Sequence, residues 1–415
     1  MRNVHRDRSI ASCLHRLDRL TAFLCAVTLL PHLAGCRDGS SDEVLWVGRL
    51  GSDTVVVEGA RQVGSRIDGT IVNVAAGLLV QRYEVDLDAN DNVRALRSWP
   101  IPDMSAPRLA EAPPSISVEF GPDSIHVTRL GPDGPQTTAV PAVEGAVPIF
   151  DPFFNNPMSL MELALRSAKS RGDGMVRLYY LGSAGVQELP LGETDPGEVS
   201  YPYVLARQYP MMAGTRLYAS MDGMRLVRFD ARETTFKIVT DRNIWADPLV
   251  LGRQFEERGL GAGGMSGMSP PTRAAGRVGT VDVAITYGQP RRRGRNIFPD
   301  VVPFDQIWRA GANAATEISF SGSVVLGGRP VPAGSYSVWV IPGERADTLI
   351  LNEATRIWGT MYDSEQDFLR VPMRRQLVEE PIEDLTYAIK SGSDAGRLEL
   401  AWGDRRLEIT LAPAP

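Results

Sequence analysis

Short runs of alternating apolar and polar residues fill the chain from Val44 to about Asp241. Alternation with a period of two is typical of antiparallel strands that bury one face. Pairs of such runs around turn-forming residues predict three hairpins: 80–96, 116–130 and 217–229. The third should turn at Asp222-Gly223, because a tight hairpin turn needs positive φ angles. We therefore expect this part of the chain to form a curved antiparallel sheet or a partly open barrel.

One helix is predicted within this region. Apolar residues recur at helical spacing from Leu160 to Ala168. Asn156 can cap the start of the helix, Pro157 suits its first position, and Gly172 can end it. We expect this helix to pack against the sheet.

The pattern changes in the segment 242–275. Glycine and proline replace a core periodicity there, which indicates a flexible linker. From 276 to 415 strand patterns resume at the spacing of a β-sandwich, and the last two runs are predicted to form a hairpin around Gly403-Asp404. The expected fold class is mostly β, with two antiparallel β-rich domains at 44–241 and 276–415 joined by a Gly/Pro-rich linker.

The first 36 residues differ from everything that follows. Five arginines precede an apolar run at 20–33, which ends in Leu33-Ala34-Gly35-Cys36. The basic end would stay in the cytoplasm while the apolar run enters the export machinery, and this run is too short to span a membrane permanently. An ordinary secretory signal with a chance cysteine, or an uncleaved anchor, is the alternative interpretation.

The four residues that end in Cys36 resemble the lipobox of bacterial lipoproteins. The resemblance implies a signal peptide at 1–35, cleavage before Cys36, and acyl chains on the Cys36 thiol and the new amino terminus. Several acyl chains hold a protein stably on a bilayer, whereas a single chain holds it only marginally. Residues 36–43 would then be a short lipidated tether, and the lipid bilayer would be a partner through Cys36.

Cleavage at this site would remove most of the reactive side chains. Of three cysteines and four histidines, the mature chain would keep the lipidated Cys36 and His126. A thiolate nucleophile, a disulfide framework and a Cys/His zinc site are then excluded, as is a Ser-His-Asp arrangement without His126. His126 lies in an alternating run, so we expect an ordinary strand side chain. We expect no catalytic residue, no metal and no cofactor.

The mature chain would be acidic. Removing the five basic and two acidic residues of the signal from totals of 44 and 50 leaves 39 and 48, a net charge of −9. This charge argues against a nucleic-acid partner. Two groups of carboxylates could act as acid and base in a hydrolase if their separation were suitable: Asp300 with Asp305, and Glu379-Glu380 with Glu383-Asp384. So many carboxylates supply such pairs by chance, and we favour a protein without catalytic activity.

Several short motifs in the last third of the chain occur in a distinctive order. They are Thr286-Tyr287-Gly288-Gln289-Pro290, Val302-Pro303-Phe304, Trp308-Arg309-Ala310-Gly311-Ala312-Asn313, Ile341-Pro342-Gly343 and Trp358-Gly359. The series resembles the bacterial family called domain of unknown function 2911, over about 276–413. Gln289 and Ala310 stand where Arg and Thr are common in that family, and Pro299-Asp300 replaces a glycine pair. The resemblance implies a mostly β fold and no particular reaction, because the family has none assigned.

The arginine-rich part of this segment is the candidate ligand site. Its candidate residues are Tyr287, Arg295, Trp308, Arg309 and Asn313. Guanidinium groups bind carboxylate, phosphate or sulfated sugar bidentately, and an indole face stacks on a sugar or a cation. The alternative interpretation is structural: Arg309 would pair with Asp300 or Asp305, Trp308 would lie in the core, and Asn313 would occupy a turn with positive φ.

These observations lead to one main hypothesis for function. The chain is expected to be a non-enzymatic lipoprotein of the cell envelope, anchored to a membrane and facing the periplasm or the exterior. It would bind an anionic small molecule, a glycan or an envelope protein. Two alternatives stay open: a carboxylate-dependent hydrolase of envelope carbohydrate or phosphoester, and a structural adaptor that only presents surfaces.

The lipid anchor can be tested by fractionation of a bacterial host that expresses the chain. We expect the wild-type protein in the membrane fraction, because several acyl chains hold it there. Cys36→Ser should move it out of that fraction. Cys25→Ser, within the apolar run, is the matched control and should remain membrane-bound. A Cys36→Ser variant that stays with the membrane would contradict the lipobox interpretation.

Overall fold

Strands form most of the chain. The computed structural model describes residues 42–75, 77–105, 112–150, 156–203, 214–234, 237–262, 267–392 and 394–415. Cys36 and the predicted signal peptide therefore lie outside the described residues. Residues 42 and 43, predicted as the end of the tether, are the first two residues of strand β1.

The strands of the first half are short and mostly consecutive in the sheet. They are β1 (Asp42–Leu50), β2 (Asp53–Val63), β3 (Arg66–Asn73), β4 (Leu79–Leu87), β5 (Val93–Pro100), β6 (Ile116–Phe120), β7 (Ser124–Gly131), β8 (Gly134–Pro141), β9 (Val147–Ile149), β10 (Met175–Tyr180), β11 (Gln187–Pro190), β12 (Gly192–Asp195), β13 (Glu198–Pro202), β14 (Arg216–Asp222), β15 (Arg225–Asp230) and β16 (Val239–Asn243). Three of them, β9 to β11, form a small separate sheet.

The other thirteen strands form the N-terminal sheet, in the order β12-β13-β14-β15-β16-β1-β2-β3-β4-β5-β6-β7-β8. The chain starts in the middle of this sheet, because β1 pairs with β2 on one side and with β16 on the other. Neighbouring strands are antiparallel, and the sheet is open rather than closed into a barrel. The mostly β fold class and the antiparallel pairing are confirmed.

The three predicted hairpins are confirmed as β4–β5, β6–β7 and β14–β15. The position of the third turn is wrong by one residue. Asp222 pairs with Arg225, so the turn contains Gly223 and Met224. Gly223 has a φ angle of 59°, which glycine adopts without steric cost.

Helix α1 (Met158–Arg171) is the helix predicted within this region, and it packs against β9, β10 and β15. It ends at Gly172, whose φ angle of 68° is the left-handed conformation common at helix ends. Its start differs from the prediction. Pro157 occupies the N-cap position, and no side chain at that position caps the helix. The prediction that Asn156 is the cap is therefore wrong.

The carboxylate of Glu58, on β2, accepts the hydrogen bonds of the free backbone N–H groups at the start of helix α1 instead. Glu58 is 1% exposed and accepts hydrogen bonds from the backbone N–H groups of Met158 and Ser159. It also accepts a hydrogen bond from the hydroxyl of Tyr83 on β4. Burial raises the pKa of Glu58, while these donors and the positive end of the helix stabilise its charged form. One side chain thus joins two strands to the helix.

Helix α2 (Pro248–Glu257) lies in the segment predicted as a flexible linker, so that prediction is wrong for these residues. Asp247 caps the helix by accepting a hydrogen bond from Leu249 N at 2.9 Å. Phe255 is buried in a core cluster shared with the N-terminal sheet. The apolar side of the helix is narrow, because Gly252 and Pro248 are the other buried positions, and this explains why the sequence pattern did not reveal it.

The strands of the second half begin before the predicted end of the linker. They are β17 (Pro271–Val278), β18 (Val281–Gly288), β19 (Ala312–Phe320), β20 (Val324–Leu326), β21 (Arg329–Val331), β22 (Gly334–Ile341), β23 (Asp347–Asn352), β24 (Asp367–Lys390) and β25 (Gly396–Pro413). They form the C-terminal sheet, in the order β17-β18-β19-β22-β23-β24-β25-β20-β21.

Strand β24 passes from one layer of this sheet to the other. Its first residues, to Met373, pair with β23, and its residues from Arg374 onward pair with β25. Apolar side chains of β18, β19 and β22 to β25 form one core cluster. Two layers around a single core are the arrangement expected of a β-sandwich.

The predicted hairpin around Gly403-Asp404 is wrong. Strand β25 continues through these residues and pairs along its length with β24. Gly403 pairs with Ile382 within a stretch of shifted register, and its φ angle is 59°. A Cβ atom at Gly403 would lie 2.8 Å from Cβ of Ile297, which is too close for a larger residue. The Gly-Asp sequence marks a bulge and a close contact here, not a turn.

The two sheets meet at an ion pair between a buried arginine and a half-exposed aspartate. Arg293, which is 7% exposed, donates a hydrogen bond from Nε to Oδ2 of Asp53 at 2.8 Å. Ser52 N donates to Arg293 O at 2.8 Å. A Cβ atom at Gly51 would lie 2.2 Å from Arg293 O, so this contact requires glycine. Residues 42–415 form one compact unit, and their division into the two predicted domains stays a prediction.

The role of Glu58 leads to a stability prediction. Glu58→Ala should lower the free energy of unfolding by about 3 kcal/mol, because the Tyr83 hydroxyl and the N–H groups of Met158 and Ser159 lose their acceptor inside the protein. Urea unfolding followed by circular dichroism measures this change. Glu119→Ala, at an exposed position of β6, should stay within about 0.5 kcal/mol of the wild type. Equal effects of the two substitutions would refute the role given to Glu58.

Candidate functional site

Two of the five predicted site residues belong to the core. Trp308 stacks on Trp402, with ring centroids 5.9 Å apart, and meets Phe298 edge-on. Its backbone exchanges two hydrogen bonds with Val340. Tyr287 is 4% exposed, and its hydroxyl accepts a hydrogen bond from a backbone N–H group in β24. These two aromatic side chains therefore have packing roles. For Trp308 this agrees with the alternative interpretation, in which the residue lies in the core.

Arg295 lies in the loop that contacts the N-terminal sheet. Its guanidinium donates to the backbone carbonyls of Arg292 and Arg291, at 2.9 and 2.7 Å. Burial, together with the neighbouring charge of Arg293, lowers the pKa of Arg295 to about 10. A Cβ atom at Gly51 would lie 2.9 Å from Cγ of Arg295, so the side chain packs against the β1–β2 turn. Arg295 thus contacts different elements from Arg309.

Two other arginines of this loop have carboxylate partners. Arg291 lies 3.6 Å from a carboxylate oxygen of Glu383 and 3.4 Å from one of Asp384. Arg293 pairs with Asp53, as described above. These contacts give the acidic residues Glu383 and Asp384 a structural partner.

Arg309 is held over Gly359, between the C-terminal end of the loop and the segment that follows β23. A Cβ atom at Gly359 would lie 2.2 Å from Cδ of Arg309, so the arginine side chain fills the space of the missing side chain. Nη1 of Arg309 lies 3.5 Å from the Gly359 carbonyl oxygen. Its Nε atom is buried and has no hydrogen-bond partner among the described residues.

No counter-ion accompanies this guanidinium in the part of the chain that the structure describes. Asp300 and Asp305, the partners considered from the sequence, are exposed and do not pair with Arg309. Burial lowers the pKa of Arg309, and no neighbouring carboxylate opposes that effect. Arg405 is a useful contrast, because this buried arginine faces the buried carboxylate of Asp347 at 3.3 Å.

Asn313 shapes the same place through its backbone. Its φ angle of 63° is the left-handed conformation that the sequence predicted for a turn at this position. Its carbonyl oxygen accepts a hydrogen bond from Gly359 N at 3.0 Å, and its side chain donates to Ser269 O at 3.3 Å. Ala310, which has a φ angle of 48°, makes a second left-handed position next to Arg309. These two left-handed positions lie on either side of the start of β19, next to the contact between Arg309 and Gly359.

Sequence reasoning missed Thr360 and the exposed residues beside it. The Thr360 hydroxyl is buried and has no hydrogen-bond partner among the described residues. Trp358 is 47% exposed and Met361 is 56% exposed, so exposed apolar side chains flank the buried Thr360 hydroxyl in the sequence. We call Arg309, Trp358, Gly359 and Thr360 the Arg309 recess. Trp358-Gly359 was visible as a family motif, but nothing in its spacing indicated proximity to Arg309.

Other features considered from the sequence do not form a site in the described residues. His126 is an exposed residue of β7, and its Nε2 lies 2.8 Å from the Ser124 hydroxyl. Clusters of histidine, cysteine and carboxylate suited to a metal ion do not occur in this part of the chain. None of its helices combines the length and apolar composition needed to cross a bilayer.

The packing of Trp308 leads to a stability prediction. Trp308→Ala should lower the free energy of unfolding by about 3 kcal/mol, because it leaves a cavity beside Trp402 and Phe298. Trp358→Ala should change it by less than about 1 kcal/mol, since that ring is half exposed. Denaturant unfolding measures both. A Trp308→Ala protein as stable as the wild type would show that the ring is not part of the core.

Comparison with known proteins gives a family but no activity. No curated protein matches the chain. A solved complex of β-1,2-mannobiose phosphorylase from Listeria innocua with β-1,2-mannobiose aligns with 85% of this chain and 88% of that chain, at 9% identity and a TM-score of 0.14. This similarity is too low to indicate a shared fold. The C-terminal third of the chain, residues 269–411, matches the model of the family described as "Protein of unknown function (DUF2911)".

Proposed function

We propose that this chain is a lipid-anchored protein of the cell envelope that binds an oxyanion, carried on a larger envelope component, at the Arg309 recess. It acts by binding and not by catalysis. The observation that carries the proposal is a buried arginine Nε without a counter-ion or hydrogen-bond partner among the described residues.

The free energy of burying a charge supports this reading of Arg309. A guanidinium remains protonated in proteins, so burial cannot be relieved by loss of the proton. An unpaired buried charge costs several kcal/mol, and folded proteins almost always compensate it with a partner. Arg309 is partly buried, with its Nε atom inaccessible, whereas Arg293 and Arg405 are buried as whole residues and have carboxylate partners. A ligand that supplies an anionic group would provide the missing partner of Arg309.

The polar groups of the recess define the chemistry of the ligand. Nε–H of Arg309 and the Thr360 hydroxyl are two donors without a partner among the described residues, and Gly359, which Arg309 contacts, directly precedes Thr360. Such donors suit a carboxylate or a phosphate oxygen. The exposed ring of Trp358 lies next to them in the chain and offers a face for stacking a sugar or an aromatic group.

The predicted lipid anchor would place this recess in the envelope. Five residues, 37 to 41, separate Cys36 from the start of β1. A fully extended chain spans at most about 3.5 Å per residue, so the first strand would begin within about 20 Å of the lipidated cysteine. Ligands available to the protein would then be components of the membrane surface or of the space next to it.

The proposal can be tested with benzoate and phenyl phosphate as probes, titrated into the folded protein in low-chloride buffer by isothermal titration calorimetry. We expect at least one probe to bind the wild type, and Arg309→Ala to weaken it tenfold or more because the charge-assisted hydrogen bond is lost. Thr360→Val should weaken it by about fivefold, the effect of one neutral hydrogen bond. The two probes distinguish a carboxylate ligand from a phosphate ligand.

Arg329→Ala, at an exposed position of β21, is the matched control for loss of one arginine charge. It should leave the affinity of the probe unchanged. If neither probe binds the wild type, or if Arg329→Ala weakens binding as much as Arg309→Ala does, the Arg309 recess is not an anion site.

A further inference from the structure

A cleft lies between one face of the N-terminal sheet and helix α1. Its cavity volume is about 70 Å³. Side chains from β1, β2, β13, β14, β15 and β16 form its floor, and α1, β9 and β10 contribute the opposite wall. We call it the sheet–helix cleft. Its residues belong to neither the lipid anchor nor the Arg309 recess.

Most of the cleft wall is apolar or aromatic. The floor carries Trp46, Leu217 and Phe229, and the opposite wall carries Met158 and Met161. An apolar wall of this kind is typical of sites that bury a small molecule. In a chain that simply fills its own interior, we would expect the polar groups at the wall to be paired with each other or with the backbone.

Three polar atoms at the cleft wall have no such partner among the described residues. They are Nε1 of Trp46, the hydroxyl oxygen of Tyr201 and Oδ1 of Asn156. Trp46 is 1% exposed and Tyr201 is 0% exposed, so bulk water does not reach these side chains freely. The indole N–H is a donor, the amide oxygen is an acceptor, and the phenol can act as either. Together they match a ligand group that both donates and accepts hydrogen bonds.

Charged groups around the cleft limit the charge of the ligand. Glu58 lies in the wall, and its carboxylate already accepts hydrogen bonds from Tyr83, Met158 and Ser159. A second negative charge in the cleft would be repelled by this carboxylate. The guanidinium of Arg242 already has partners: it lies over the Trp46 ring, 5.1 Å from the ring centroid, and pairs with a carboxylate of helix α1. It is therefore not free to bind an anionic ligand. The cleft therefore suits an uncharged ligand.

We propose that the sheet–helix cleft is a second binding site, for an uncharged and mainly apolar molecule that carries a hydroxyl group. The hydroxyl accepts a hydrogen bond from the indole N–H of Trp46 or from the phenol of Tyr201, and donates one to Oδ1 of Asn156. The apolar body lies between the sheet and helix α1. This site is independent of the Arg309 recess, so loss of either site leaves the other in place.

The test uses 2-naphthol as the probe, with naphthalene and 2-naphthoate as its matched partners. Binding to the wild-type protein is followed through the fluorescence of the probe and through the melting temperature of the protein. We expect 2-naphthol to bind, naphthalene to bind about fivefold or more weakly because it has no hydroxyl, and the anion 2-naphthoate not to bind.

Substitutions at the wall separate the polar contribution from the apolar one. Tyr201→Phe removes the hydroxyl and keeps the ring, so it should weaken 2-naphthol by about fivefold and leave naphthalene unchanged. Ala231→Phe fills the cleft and should abolish binding of both probes. Tyr336→Phe, in the C-terminal sheet, is the matched control and should bind 2-naphthol like the wild type.

Melting curves and far-ultraviolet circular dichroism confirm that each variant is folded before it is titrated. Tyr201→Phe changes one atom and keeps the packing, so it remains informative if Ala231→Phe fails to fold. The proposal is overturned if 2-naphthol does not bind the wild type. It is also overturned if the wild type and Tyr201→Phe each bind 2-naphthol and naphthalene with the same affinity. Arg309→Ala should bind 2-naphthol normally.

Discussion

The architecture of the first half depends on how one buried carboxylate is satisfied. Glu58 lies on a central strand of the N-terminal sheet, where an unpaired negative charge would be very unfavourable. The start of helix α1 supplies two backbone N–H groups and the positive end of a helix dipole, and Tyr83 supplies a hydroxyl. The charge fixes the helix over the sheet, and this placement creates the sheet–helix cleft. Gly69 completes the arrangement, because a Cβ atom there would lie 2.1 Å from the Tyr83 ring.

Most other buried charged side chains of this protein also have polar partners from a different element. Asp347, which is fully buried, faces Arg375 at 2.6 Å and Arg405 at 3.3 Å. Arg293 meets Asp53 where the two sheets join. In each case the two partners come from separate elements, so the ion pair also fixes how those elements pack. Arg309 departs from this rule among the described residues, and that departure is why it is the most informative residue of the C-terminal third.

Much of the fold could be predicted because its signals are local. The alternation of residues and the turn chemistry between strands revealed the hairpins of the first half, and Gly172 marked the end of helix α1. Local signals failed where a contact distant in sequence decided the outcome. Gly403-Asp404 resembles a turn, yet pairing with β24 and the close approach of Ile297 make it a bulge inside β25. Helix α2 buries too few apolar residues to produce a helical pattern.

The same distinction applies to the sites. The chemistry of arginine made Arg309 a candidate, and the tolerance of asparagine for positive φ predicted the left-handed conformation that Asn313 adopts, although it does so within β19 and not in a turn. The sequence could not place Gly359 beside Arg309, because fifty residues separate them and the contact depends on a missing side chain. Nor could it reveal the sheet–helix cleft. Trp46 and Tyr201 look like ordinary core residues until the structure brings their unpaired polar atoms to one wall.

The position of β25 has a consequence for the order in which the chain can assemble. This last strand lies between β24 and β20, and Ala414 N still donates to Ser323 O at 2.9 Å. A ribosome or an export channel delivers the amino-terminal half first, and its core contains no residue of the last strands. The C-terminal sheet keeps an unfilled gap until β25 emerges. Until then β24 and β20 each present an open edge, so delayed release of β25 prolongs the period in which those edges can pair with another molecule.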